Sequence, residues 1–156
     1  MSKLLFIFLF SAVPIVEQRG AIPIGILAYN YNPLLVMVLS YIGSLLPVPF
    51  IMLLFNKIYN WLKTKRQFDF LTNIIDNKIR KNIGKFEKYK EIALITFIAI
   101  PLPTTGVWTG TAIAAFLGLD FKKSFLCAAL GGLLSAIIIT VISVMIPGFF
   151  PVKQVF

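Results

Sequence analysis

Two runs of 23 residues without a single charge, Pro33–Phe55 and Ser124–Ile146, constrain this chain more than any other feature. Wound as α-helices at about 1.5 Å per residue, each reaches about 35 Å, enough to cross a hydrocarbon core of about 30 Å. The remainder agrees with that reading. Of 156 residues, 58% are hydrophobic, and 13% are charged, about half the share of an ordinary soluble domain. The charges are concentrated: ten Lys/Arg and four Asp/Glu fall within residues 56–91. Apolar blocks flanking one charged block are the layout of membrane segments around a solvent loop. The expectation is a single all-α integral membrane domain over residues 1–156, multi-pass and in the cell membrane.

Two further apolar segments are broken. The first, about residues 4–27, contains Pro14, Glu17, Arg19, Gly20, Pro23 and Gly25; the second, about residues 92–119, contains Pro101, Pro103, Gly106 and Gly110. Proline within a helix removes a backbone hydrogen bond and crowds the preceding turn. Lipid cannot repair that deficit, so irregular backbone at membrane depth must be buried in protein or line a wet cavity. Each broken segment is therefore expected to be a re-entrant hairpin, with Gly20 and Pro23 forming the tip of the first and Pro101, Pro103 and Gly106 that of the second. A retained first segment is expected over a cleaved signal, since Pro14 and bulky Val13, Ile15 and Val16 make a poor cleavage site.

The order broken, clean, loop, broken, clean is an internal repeat. A shift of 87 residues lays Ala12-Val13-Pro14 on Ala99-Ile100-Pro101 and superposes the two clean segments. Residues 1–55 then form one repeat (helix about 33–55) and residues 92–148 the other (helix about 124–146). Residues 56–91 form a basic cytoplasmic connection. Within it Leu71, Ile75, Ile79, Ile83 and Phe86 recur at helical spacing among lysines, as in an amphipathic helix lying on anionic headgroups. Charge alone does not make a nucleic-acid partner, and none is expected. With hairpins, both termini lie outside; four full crossings would put them inside. Basic residues beyond the loop divide equally between the two arrangements, and the prolines favour hairpins. Pro47 and Pro49 are expected to kink their helix, while Gly43, Gly131 and Gly132 are expected to permit close helix packing.

Glu17 and Arg19 are the ionisable residues embedded in the first apolar block. A charge at membrane depth costs at least a few kcal/mol, so such residues are usually paired and face a cavity. Residues two apart share a side in an extended stretch but not in a helix. Gly20 and Pro23 are expected to unwind the chain here and bring the pair into one site. It is read either as a clamp holding the segment or as a proton- or headgroup-binding site. Thr104, Thr105, Trp108 and Thr109 are the polar groups of the second segment, where hydroxyls serve either the broken backbone or a substrate. Cys127 stands alone in an apolar run and reads as a small buried hydrophobe. The chain has no His. With one Cys and one carboxylate in the membrane blocks, it offers no nucleophile–base or metal-ligand set. No enzyme activity, metal or cofactor is expected.

The run Glu17–Gly25, E-Q-R-G-A-I-P-I-G, resembles a signature of the small multidrug export family. Ala99–Ala114, A-I-P-L-P-T-T-G-V-W-T-G-T-A-I-A, resembles a second, in the same order. That family is usually grouped with the DedA superfamily. The resemblance implies two re-entrant hairpins, each with a transmembrane helix, related by inverted symmetry. It also implies proton-dependent transport, with lipid-phosphate carriers among the superfamily's cargo. On that basis Glu17 is the candidate proton-coupling carboxylate and Arg19 the candidate anion-binding group. Thr104 stands where the family commonly has glycine. The leading expectation is a small secondary transporter or lipid-carrier flippase, its substrate between the hairpin tips. The alternatives are a non-transporting factor for lipid organisation or assembly, and an exporter of small cationic compounds. A homodimer stays open.

Overall fold

The computed structural model describes residues 2–14, 16–63, 87–102, 105–116 and 119–149. Among them the chain is helical, with no strand. Helix α1 (Lys3–Ala12) opens on Ser2, whose hydroxyl accepts from the Leu5 amide at 3.3 Å, as an N-cap serine does. After a turn containing Pro14, α2 (Glu17–Pro23) runs into a π-helical turn, Ile24–Ala28. Asn32 then caps α3 (Pro33–Leu45), accepting from the Leu34 and Leu35 amides with Pro33 in the first turn. Helices α4 (Pro47–Lys63), α5 (Glu87–Ala99), α6 (Val107–Phe116) and α7 (Phe121–Phe149) complete the described fold.

Among the described residues, Pro33–Phe55 and Phe121–Met145 are the two stretches long and apolar enough to cross a membrane. The first is interrupted at Leu46, whose amide turns to the Gly43 carbonyl at 3.3 Å. Pro47 and Pro49 have no amide to continue the ladder, so the helix tightens and restarts as two pieces. Helix ends also extend beyond their expected limits. α4 reaches Lys63, α5 starts at Glu87 rather than near residue 92, and α7 starts at Phe121. Polar first and last turns cost a helix little, so apolar runs under-mark its ends. The expected amphipathic positions Leu71, Ile75, Ile79, Ile83 and Phe86 lie outside the described residues.

The tip of the first broken segment is corrected. Gly20 and Pro23 lie inside α2, and the non-helical residues described before it are Val13, Pro14 and Val16. A π turn follows Pro23, with the Tyr29 N–H bonded to the Ile24 carbonyl at 3.1 Å. Gly20 keeps a packing duty, because a Cβ there would overlap Val16. In the second segment α5 ends at Ala99 and α6 begins at Val107, with Pro101 and Gly106 among the non-helical residues between them. Pro103 and Thr104 lie outside the described residues.

Packing joins the elements in two clusters. Ile7, Ala21, Ile22, Ile26 and Val36 of the first half meet Ala136 and Ile139 of α7. Val48 of α4 meets Leu94, Ile98, Val107, Ala114, Cys127 and Ala128. As positions advance from Val36 to Val48, their α7 partners fall from 136–139 to 127–128, so the two long helices run antiparallel. Cys127 is buried, as expected. Glycines permit the close crossings. A Cβ on Gly43 would overlap the Phe8 carbonyl of α1, and one on Gly131 would meet the Ile95 carbonyl of α5 at 2.9 Å.

The distribution of side chains suits lipid rather than water. Leu34, Phe50, Leu53, Ile92, Leu126 and Met145 are exposed, while Ser11, Gln18, Ser40, Ser44, Thr111 and Ser135 are wholly buried. Small polar residues between helices and bulky apolar ones outside is the pattern by which helices associate where the solvent is itself apolar.

Candidate functional site

The two broken segments meet, and what one lacks the other supplies. The interruption of α5 and α6 exposes the last carbonyls of one helix and the first amides of the next, groups that need partners wherever water is scarce. Glu17 takes the amides. Its carboxylate accepts from the Trp108 amide at 2.8 Å and the Val107 amide at 3.2 Å. Gly106, at the N-cap position, has no side chain to do this work, and a Cβ there would overlap the Glu17 carboxylate. Thr109 completes the cap from within, its hydroxyl accepting from the Gly106 amide at 2.8 Å, the back-reaching half of a capping box.

Arg19 takes the carbonyls. Its guanidinium donates to Leu102, to Ile100 at 3.2 Å and to Ile98 at 3.4 Å. Negative charge thus sits at a helix N-terminus and positive charge at a helix C-terminus, each the favoured end of the peptide dipoles. Glu17 is 5% exposed and holds a positive φ of 48°, a left-handed conformation uncommon for a side chain of this size. The conformation persists because both carboxylate bonds and the packing at Gly106 fix it, and such outliers cluster at functional sites.

This differs from the expected unwound pair. Glu17 and Arg19 begin a helix, and each spends its hydrogen bonds on the second segment's backbone rather than on the other. The helix turns them toward opposite ends of the same break. Bonds to oriented backbone groups satisfy a buried charge, so an unwound stretch is not needed.

Trp108 lies against the first segment, its indole N–H donating to the Ala12 carbonyl at 3.1 Å. The Thr105 hydroxyl is used locally. It donates to the Ile100 carbonyl at 2.7 Å or the Leu102 carbonyl at 3.1 Å, and accepts from the Leu102 amide. Between the breaks lies a cavity of about 630 Å³ bordered by Glu17, Arg19, Thr105, Gly106, Trp108 and Thr109, with Pro14, Val16 and Leu102 among its apolar walls. That volume is in the range of small-molecule sites. Of the site residues expected from sequence, Glu17, Arg19, Gly20, Pro101, Thr105, Gly106 and Trp108 border it together; Pro23 does not. Among the described residues no group of His, Cys, Asp or Glu has the arrangement of a metal site.

Gln18 was not anticipated. Wholly buried between the two charges, it donates to the Gly132 carbonyl of α7 at 2.8 Å and accepts from Ser44 of α3 at 3.4 Å. It anchors α2 against both long helices, and its neighbours thereby face the break. Its only sequence signal is a neutral amide between the two charges of the first apolar block.

No curated protein and no solved structure matches the chain. Residues 17–138, a stretch that begins at the buried carboxylate just after the first break and includes the second break and most of the long helices, match the family described as "putative small multi-drug export protein", and the chain belongs to that family.

Proposed function

We propose that this protein is a small multi-pass membrane transporter whose substrate, a small molecule or lipid phosphate, occupies the cavity between the two breaks. One observation carries the reading: a carboxylate and a guanidinium within an apolar block hold the two ends of a broken helix, beside a cavity. Discontinuous helices whose ends meet a site at a repeat interface are the architecture of many secondary transporters. The family name, an export protein, points the same way at a coarse level. Glu17 is the proton-coupling candidate, because it is the group at the site whose charge can be switched by one proton.

The re-entrant, inverted arrangement is part of the proposal, and contacts at the two mouths support it. Lys3, at the start of α1, lies over the Tyr29 ring at 5.1 Å, just past the end of the returning helix. Glu91 near the start of α5 pairs with Lys123 near the start of α7 at 3.0 Å. Each broken segment thus begins beside the chain that leaves it, and the antiparallel long helices turn the two mouths to opposite faces. The near-repeat of contacts agrees: Phe8 beneath Gly43 and Ile95 beneath Gly131 are 87 and 88 positions apart.

Reconstituted protein tests the function. Dithionite-accessible fluorescent lipid phosphate and ethidium provide two cargo classes, with an imposed pH gradient. The expected outcome is flux of one class, lowered at least tenfold by Glu17→Gln. A folded protein that moves neither class would overturn transport in favour of a non-transporting membrane role. Reporter fusions at Phe156 and near Asn77 test the topology, and the same location for both would sink the inverted hairpins.

A further inference from the structure

The cavity between the breaks is bordered by polar side chains that have few bonds to spare. The Glu17 carboxylate accepts from two amides, the outer nitrogens of Arg19 donate to three carbonyls, and the Trp108 indole N–H serves Ala12. The Thr105 and Thr109 hydroxyls are bonded to backbone within their own break. Among the polar atoms of these side chains, Arg19 Nε alone is buried without a partner. A polar ligand would therefore be buried largely unpaired, or would take a bond from a broken helix, and either course costs free energy. The rest of the lining is apolar: Pro14, Val16, Gly20, Pro101, Leu102 and Ala112.

The rim is apolar as well. Val13 and Ile100 are each 45% exposed and Leu102 is 54% exposed, with Pro14 and Ala112 exposed beside them. The height of this rim decides what it faces. From Lys3 to Ala12 and from Glu91 to Ala99 the two helices rise about 14 and about 12 Å. In the membrane arrangement proposed above, each break then lies near the middle of a hydrocarbon core of about 30 Å. Exposure at that height is exposure to lipid. A groove of about 630 Å³ open to hydrocarbon does not stay empty, because its walls would forfeit dispersion contacts that a chain restores.

We propose that this cavity opens sideways into the bilayer and holds an acyl chain of a surrounding lipid, packed against Pro14, Val16, Leu102, Trp108 and Ala112. Glu17 and Arg19 keep their bonds to the backbone and hold the walls apart. A substrate then enters from the hydrocarbon and not from water, and part of it must be apolar enough to displace the chain. The inference rests on the transporter reading for the cavity's height in the membrane, but its test reads lipid contact at equilibrium and needs no flux.

The full-length protein carrying Trp61→Phe keeps Trp108 as its fluorophore. It is reconstituted in phosphatidylcholine brominated either near the chain ends or near the headgroup, and the quenching is compared with that by aqueous iodide. Strong quenching by bromine is expected, greater from the chain ends, with little by iodide. Adding Val16→Phe, which fills the groove from the other segment, should cut bromine quenching by at least half. Leu126→Phe, at an exposed position of α7 outside the groove, should leave it unchanged. Should Val16→Phe fail to fold, Ala112→Phe fills the same groove from α6. Bromine quenching that a folded groove variant does not lower would put the chain outside the cavity. Stronger quenching by iodide would make the cavity a watery one. Bromine quenching that is weak at high protein density and rises as the protein is diluted in lipid would show a second copy covering the groove. Each of these three results overturns the proposal. Bromine quenching of a protein that moves no cargo would overturn transport and leave the chain in place; flux without such quenching would do the reverse.

Discussion

The two broken segments share a plan and divide the chemistry. Each is a short helix, a proline-containing break and a second helix packed on a long apolar one. The first puts Glu17, Gln18 and Arg19 directly after its break. The second has no charged residue between Ile92 and Leu119 and offers helix ends instead. One half therefore contributes ions and the other fixed dipoles. An ion pair at membrane depth could satisfy itself, and it would then stay within one segment. Charges matched to another segment's backbone tie the halves to each other, so any change at Glu17 or Arg19 bears on how the segments sit together.

The most severe way to break this complementarity is to add one methyl group to the uncharged half. Gly106→Ala puts a Cβ into the carboxylate. Overpacking costs about 1–3 kcal/mol, and each charge-assisted hydrogen bond lost adds about 1.5–3 kcal/mol. The expected loss is at least about 3 kcal/mol by denaturant unfolding in detergent. Combining it with Glu17→Ala should give a double variant more stable than the sum of the single losses, by more than about 1 kcal/mol, because the clash and its victim disappear together. Simple additivity would mean that the carboxylate does not occupy this seat.

Arg19→Met sharpens the comparison from the other end. It keeps much of the side chain's length and removes the guanidinium that donates to Ile98, Ile100 and Leu102. The Ile100 and Leu102 carbonyls keep the Thr105 hydroxyl and the amides of Leu102 and Thr105, so the cost is that of losing a charged donor, about 1.5–3 kcal/mol. Hydrogen exchange should show it locally, with amides from Leu102 to Trp108 opening at least about tenfold faster, the equivalent of about 1.4 kcal/mol. Faster exchange confined to α2 would show that Arg19 holds its own helix and not the break.

Much of this was legible in the chain, and the pattern of what was not has a physical cause. Periodicity and proline act over a few residues, so the long helices, the kink before Pro47 and the second break could be read directly. Gly20 and Pro23 misled because the helix runs through both and a π turn follows. Gly25 is followed by Ile26-Leu27-Ala28, which carry no mark of such a turn. Glu17 and Arg19 stood out as charges in an apolar block, but their partners are backbone groups about 80–90 positions away. Every residue has an amide and a carbonyl, so no composition signals which will serve. Gln18 escaped for a related reason: a neutral amide raises no electrostatic question until its burial is known.

The smallest predicted effects lie at the two mouths, where the halves differ again. The first mouth has a cation over a ring, Lys3 and Tyr29; the second has an ion pair, Lys123 and Glu91, with the two side chains 47% and 35% exposed. Exposed ion pairs contribute about 0–1 kcal/mol and exposed cation–π contacts about 0.5–1 kcal/mol, so neither Glu91→Gln nor Tyr29→Leu should cost more than about 1 kcal/mol. Salt separates them. An ion pair at this exposure is screened as the Debye length falls from about 10 Å at 0.1 M to about 3 Å at 1 M. The cost of Glu91→Gln should therefore shrink toward zero in high salt. Tyr29 also meets the Phe6 and Tyr31 rings, and salt does not weaken apolar contact, so the cost of Tyr29→Leu should persist. Unfolding of both variants at the two ionic strengths measures this. A Glu91→Gln cost that is large and indifferent to salt would mean that the second mouth is closed by packing around Glu91, and the contrast between an electrostatic mouth and an aromatic one would fall.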